Sequence, residues 1–157
     1  MGQGGVAQQV GLARVLQRTA GGRFQPVIPE VDALDDKKVE RVIMCSGKIY
    51  YELLAHRRAQ GITNVAILRL EQAYPFPTEE VAAQVERYPA STGIVWCQEE
   101  PRNQGAWYWI ASRHHLDSEL GPKQKMLLVS RPASSSPAVG YLARHNEQQK
   151  AIIESAL

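Results

Sequence analysis

Ile94-Val95-Trp96-Cys97-Gln98-Glu99-Glu100-Pro101-Arg102-Asn103-Gln104-Gly105-Ala106-Trp107 is the stretch whose reading decides the fold of this chain. Four apolar residues, Ile94 to Cys97, predict a buried strand. Gln98, Glu99, Glu100 and Pro101 predict a polar turn. Asn103 is placed to cap a helix over Gln104–Leu120 whose inner face holds Trp107, Ile110 and Ala111. A strand running through a carboxylate-rich turn into a helix is a common way for an α/β fold to build a functional edge. Glu99 and Glu100 have two readings: solvated turn residues after which Pro101 stops the strand, or groups belonging to a site. Adjacent residues in an extended segment point to opposite sides. One glutamate should therefore face the strand-end edge, held by N–H groups near Ser46-Gly47 or by the Arg131 guanidinium, and the other should point outward.

The pattern repeats on either side. Val39 to Cys45 predicts a strand, Ser46-Gly47-Lys48 a turn, and Ile49 to Gln60 a helix. Ile49 with Leu53 and Tyr50 with Leu54 form its apolar stripe, whereas His56, Arg57 and Arg58 are expected to face water near its end, where cations suit the helix dipole. Gly61 is placed for a left-handed cap. The Ser46–Lys48 turn is either a plain strand-to-helix connection or an anion site made by free N–H groups. Val65 to Leu70 predicts a second strand, and Gln72 to Pro77 a stiff loop. Thr78 is placed to cap a helix with Glu79 and Glu80 in its first turn and Val81, Val85 and Tyr88 inward. Met126 to Val129 predicts a further strand, Arg131 to Pro137 a hydroxyl-rich loop, and Gly140 to Leu157 a last helix with Leu142, Ile152 and Ile153 toward the core. Four strands alternating with helices give a three-layer α/β sandwich with a mostly parallel sheet. Right-handed crossovers then bring Ser46, Gln72, Glu99 and Arg131 to one edge of that sheet.

Composition bounds the rest. At 157 residues, 44% hydrophobic and 22% charged, the chain suits one globular domain with a substantial core. A net charge of +2 gives no argument for nucleic acid or a membrane surface, and no apolar run reaches the roughly 18 residues of a membrane span. Cys45 and Cys97 both fall in apolar strands and are read as buried free thiols, with a disulfide across neighbouring strands as the alternative. His114 and His115 are read as a surface pair, since no Cys/His spacing supplies further metal ligands. Met1 to Gly22 contains no acid and carries Arg14 and Arg18, which reads as a flexible or non-family arm ahead of a domain over residues 23–157. Arg23 to Asp36, with Pro26, Pro29 and four acids, reads as an extended lead-in.

Four blocks carry a resemblance: Arg41 to Lys48 followed by Tyr50-Tyr51-Glu52-Leu53; Leu70-Glu71-Gln72 with Tyr74-Pro75-Phe76-Pro77; Trp96 to Pro101 with Asn103 to Trp107; and Arg131 to Ser134 with Ser136-Pro137-Ala138. In this order they resemble the carboxyl-terminal domain of the E1 component of 2-oxoglutarate dehydrogenase, over about Gly22 to Leu157. The resemblance implies a transketolase-type carboxyl-terminal α/β domain. It also implies a place in an enzyme that uses thiamine diphosphate and Mg to decarboxylate 2-oxoglutarate and pass the succinyl group to the E2 lipoyl arm in the tricarboxylic acid cycle. The implied partners are the remaining E1 domains, the E1 dimer partner and the E2 succinyltransferase complex; the implied compartment is the bacterial cytoplasm, or the mitochondrial matrix in a eukaryote. The family's diphosphate motif begins Gly-Asp-Gly, which does not occur in these 157 residues. The expectation is therefore a structural and assembly domain, with no catalytic, cofactor-binding or metal residues of its own and no activity alone. Arg23, Ser46, Lys48, Gln72, Glu99, Glu100, Asn103 and Arg131 are the effector or interface candidates.

Arg23, Pro26 and Gln72 match the surroundings of a family effector site for a nucleotide or acetyl-CoA. Glu79 and Glu80 stand where acetyl-CoA-regulated relatives have arginines, and would repel a phosphate. The alternatives are a free-standing nucleotide-binding regulatory module, or a small hydrolase or metal enzyme using Glu99, Glu100, Cys97 or a histidine. A domain shaped against neighbours should also leave part of Trp107-Tyr108-Trp109 exposed.

Overall fold

In a computed structural model of the chain, residues 24–91, 93–111 and 125–157 are described. Arg23, His114 and His115, and most of the anticipated Gln104–Leu120 helix, lie outside them. Strands β1 (Val27–Ile28), β2 (Arg41–Cys45), β3 (Val65–Leu70), β4 (Gly93–Pro101) and β5 (Lys125–Arg131) form one sheet in the order β1-β3-β2-β4-β5. The helices are α1 (Ile49–Gln60), α2 (Thr78–Val85), α3 (Trp107–Ala111) and α4 (Leu142–Ala156). β2 pairs parallel with β3 and β4, and β4 with β5; only β1 runs antiparallel, Val27 opposite Leu70. The mostly parallel α/β sheet is as the sequence predicts.

Both faces of the sheet are covered, which is why its central strands read as unbroken apolar runs. One core holds Val42, Met44, Leu68, Ile94 and Trp96 with Val81, Val85 and Tyr88 of the α2 segment and Ile110 of α3. The other holds Ile43, Cys45, Ile67, Val95 and Cys97 with Ile49, Tyr50, Leu53 and Leu54 of α1 and Ile152, Ile153 and Ala156 of α4. α1 ends at Gly61, whose φ of 64° lets its N–H reach the Arg57 and Arg58 carbonyls. Cys45 and Cys97 are register partners on adjacent strands, and both are buried free thiols. Burial holds the Cys97 thiol up at about 12 and drives Cys45 higher still.

Several expectations are corrected. The lead-in contributes a fifth strand, β1, too short and too close to Pro26 and Pro29 to show a period. Glu99, Glu100 and Pro101 do not form a turn; β4 continues through them and, past a register shift after Cys97, pairs Pro101 with Arg131. Asn103 is not the helix cap, because the helix starts only at Trp107. Thr78 is the first helical residue and Pro77 holds the cap position. Arg57 is buried rather than solvated: it pairs with Glu30 at 2.5 Å and Asp32 at 2.7 Å, and its Nη1 donates to the Val65 carbonyl at 2.8 Å. Ala111 and Leu142 are exposed rather than turned to the core, the latter in a first turn of α4 that is exposed as a whole.

Candidate functional site

The carboxyl ends of β2 and β4 are neighbours, yet the chain leaves them toward opposite faces, into α1 and α3. Such a switch in direction opens a crevice between strand ends where α/β folds place their functional groups. Lys48, in the turn entering α1, reaches across it: its Nζ lies 2.7 Å from Glu99 Oε1 and 3.2 Å from Glu52 Oε1. Gln149 of α4 closes the group, donating to Glu99 at 2.8 Å and to Glu52 at 3.0 Å. The hydrogen bond to Glu99 raises the Lys48 pKa against the opposing effect of burial, so the ammonium stays charged. Two carboxylates are thus neutralised in part by one cation and bridged by one amide. The group ties α1, β4 and α4 together.

On the other side of β4 lies Gln98, buried and on the Trp96 side by the period of two. Its Oε1 accepts from Trp96 Nε1 at 2.9 Å and from the Trp107 N–H at 3.1 Å, so it caps the start of α3. Its Nε2 donates to the Gln104 carbonyl at 2.8 Å and the Pro101 carbonyl at 3.2 Å. Gly105, with φ of 71°, lies against it; a Cβ there would stand 3.0 Å from Gln98 Oε1. Asn103 joins the Arg131–Pro137 loop through a reciprocal pair, donating to the Ser134 carbonyl and accepting from the Ser134 N–H, each at 2.9 Å. The Arg131 guanidinium donates to the main-chain carbonyls of Glu99 and Pro137.

The sequence candidates therefore fall into separate groups. Lys48 and Glu99 meet directly, but neither Ser46-Gly47 nor the Arg131 guanidinium holds the Glu99 carboxylate; Arg131 takes its carbonyl instead. Glu99 is half-buried and Glu100 exposed, the alternation expected of an extended segment. Ser46 is exposed at the turn. Gln72 lies past β3, its amide donating to the Pro75 carbonyl at 2.8 Å, away from the Lys48 group. Arg23 lies outside the described residues. Gln98, Glu52, Gln149 and Ser134 were missed as site residues; only Gln98 had a legible signal, a lone amide directly following four buried residues.

Thiamine diphosphate does not fit the Lys48 group. A diphosphate needs free cations and N–H groups with metal-binding oxygens. The Lys48 ammonium is engaged by two carboxylates, and among the described residues no group of three or more His, Cys, Asp or Glu side chains is gathered for a metal. No helix of the described residues is long and apolar enough to cross a membrane.

In fold the chain is similar to a solved split-gene transketolase, described as an inactive β4 tetramer, with a TM-score of 0.54 and 16% identity over 87% of this chain and 43% of that one. The likeness shows the fold, a transketolase-type α/β fold with a mostly parallel sheet. The 2-oxoglutarate dehydrogenase C-terminal family matches residues 14–157, and the chain belongs to that family. It is 51% identical over 141 residues to the 2-oxoglutarate dehydrogenase E1 component of Cupriavidus necator and 53% identical over 142 residues to that of Haemophilus influenzae. A third relative, the E1 component of Azotobacter vinelandii, is 49% identical over 144 residues. Each match covers 90% of this chain but only 15% of the relative.

Proposed function

We propose that the chain acts as the carboxyl-terminal structural and assembly domain of a 2-oxoglutarate dehydrogenase E1 component. In this reading residues 23–157 form the domain and residues 1–22 an arm before it. The observation that carries the reading is the self-satisfied strand-end edge: Lys48, Glu52, Glu99 and Gln149 bond to one another, as do Gln98, Asn103 and Arg131 with main-chain groups around them. A joint of this kind holds elements together and keeps the Glu52 and Glu99 carboxylates engaged rather than poised as acid or base. Thiamine diphosphate and Mg would be held by the rest of the E1 enzyme, which would decarboxylate 2-oxoglutarate and pass the succinyl group to E2. Ser46 and Glu100, both exposed, are the candidates left to face a neighbouring domain.

The purified chain, free of host E1, is expected to show no turnover of 2-oxoglutarate with added thiamine diphosphate and Mg²⁺ in an electron-acceptor assay. Detectable turnover would overturn the reading. A nucleotide contact through Arg23 and Gln72 is a secondary role, tested by calorimetric titration with adenine nucleotides against Gln72→Ala.

A further inference from the structure

Cys97, Cys45 and Arg69 stand in a row across three neighbouring strands. Cys97 of β4 is the register partner of Cys45 of β2, and Cys45 is that of Arg69 of β3. The two thiols share the face covered by α1 and α4, both at 0% exposure, in a core with Ile49, Leu53, Ile152 and Ile153. Adjacent strands lie about 4.7–4.9 Å apart, so paired side chains on one face leave the backbone about that far from each other. A disulfide asks for about 3.5–4.5 Å between Cβ atoms, so the sheet holds this pair too wide for a direct S–S bond. An ion bonded to each sulfur at about 2.3 Å, as zinc is, spans two sulfurs about 4.6 Å apart.

We propose that Cys45 and Cys97 form a two-coordinate site for a thiophilic divalent cation of the mercuric kind. Each thiol loses its proton to solvent and forms one sulfur–metal bond; no electrons move, and the two thiolates cancel the charge of the ion. Neutrality matters here, because an uncompensated charge in a dry core is costly. The Arg69 guanidinium beside Cys45 is paired with Glu71, so it is not spare to offset the anionic complex that a monovalent ion would make. Glu99, two positions beyond Cys97, is held by Lys48 and Gln149. Coordination therefore stays at two, which suits a soft ion and not zinc, whose sites take four ligands. To reach the ion, Cys45 gives up only a weak S–H bond to the Leu68 carbonyl, at 3.8 Å. Entry needs a local opening of the α1/α4 layer, so loading is slow while release is slower still. The inference is independent of the assembly role proposed above.

The test loads the full chain with mercuric chloride, then titrates in a monothiol competitor, with native mass spectrometry as the readout. Wild type should hold one ion per chain with the loss of two protons, and the loaded chain should melt at a higher temperature. Cys45→Ala and Cys97→Ala should each release the ion at a competitor concentration about tenfold lower or less, since only one sulfur is left. Two ions per chain, equal retention by the single variants, or a lower melting temperature on loading would each overturn the site. If an alanine variant does not fold, X-ray absorption of loaded wild type decides: two sulfur neighbours support the site, and one sulfur with oxygen or chloride overturns it. Treatment of the folded chain with diamide should leave both thiols free; an intrachain disulfide would show that the strands come close enough for a direct bond and would overturn the choice of an ion.

Discussion

Beneath the lead-in segment the Glu30 carboxylate is almost wholly out of water, at 2% side-chain exposure, and the Arg57 guanidinium beside it at 1%. Glu30 also accepts the Ile67 N–H at 2.7 Å and its own neighbours' N–H groups, so the pair closes a gap between lead-in, α1 and β3. Removing one partner of a buried pair leaves an uncompensated charge. Arg57→Met should cost about 3–5 kcal/mol in denaturant melts, and Glu30→Leu added to it should recover much of that loss. Asp32 meets both Arg58 and Arg57, and the hydrogen bond from Arg58 chiefly holds its carboxyl down at about 2 against desolvation. A depressed carboxylate stabilises the fold above its unfolded value, and that stability is lost as pH falls from about 4 through about 2. Allowing for solvent screening, the loss should be about 1 kcal/mol. It should be missing from Asp32→Asn in melts taken across that window. Glu99→Gln should cost about 0.5–1 kcal/mol, since Lys48 is mostly solvated, and Glu100→Gln should stay within about 0.5 kcal/mol of wild type.

At the scale of elements, α3 over its described residues Trp107–Ala111 owes its position to Gln98. Gln98→Leu would leave the Trp96 and Trp107 N–H groups without their acceptor inside the fold, at about 2–4 kcal/mol. Gly105→Ala adds backbone strain at a left-handed position to a contact with the same amide, and should cost about 1–3 kcal/mol. Thermal melts of both variants check this, and near-ultraviolet circular dichroism should report the loosened tryptophans. These dependencies explain what the sequence could and could not convey. β2, β3 and the core of β4 were legible because a strand covered on both faces is an apolar run whatever its neighbours. β1 was not, because two residues between prolines carry no period. The continuation of β4 through Glu99 to Pro101 was hidden because polar residues at a strand end resemble a turn until β5 supplies partners. Arg57 was misplaced for the reason that a helix pattern shows which side chains are polar, not that Glu30, twenty-seven residues earlier, comes back to meet one. Among the site candidates, Lys48 and Glu99 were legible as edge residues, whereas their bridging by Gln149 joins groups fifty positions apart.

For the molecule as a whole, one sheet lies between two apolar layers, so neither layer persists without the other. Trp96 reports on one face and the Cys45–Cys97 pair on the opposite face. Unfolding should therefore be a single transition, in which Trp96 fluorescence and thiol labelling change at the same denaturant concentration. Labelling of either thiol well below the fluorescence midpoint would show that the α1/α4 layer opens separately. In native conditions both thiols should resist alkylation at neutral pH, as burial keeps them protonated.

Arg41, where β2 begins, donates to the Ala156 carbonyl at 3.0 Å, fastening the start of the central parallel strand to the end of α4. During synthesis β2 leaves the ribosome long before α4 does. The thiol face of the sheet is then without its last cover, and oxidants or chaperones have their opportunity in that interval. Protection of Cys97 is thus a late event in the life of each nascent chain, and a stalled chain lacking α4 is the species most exposed to oxidative loss.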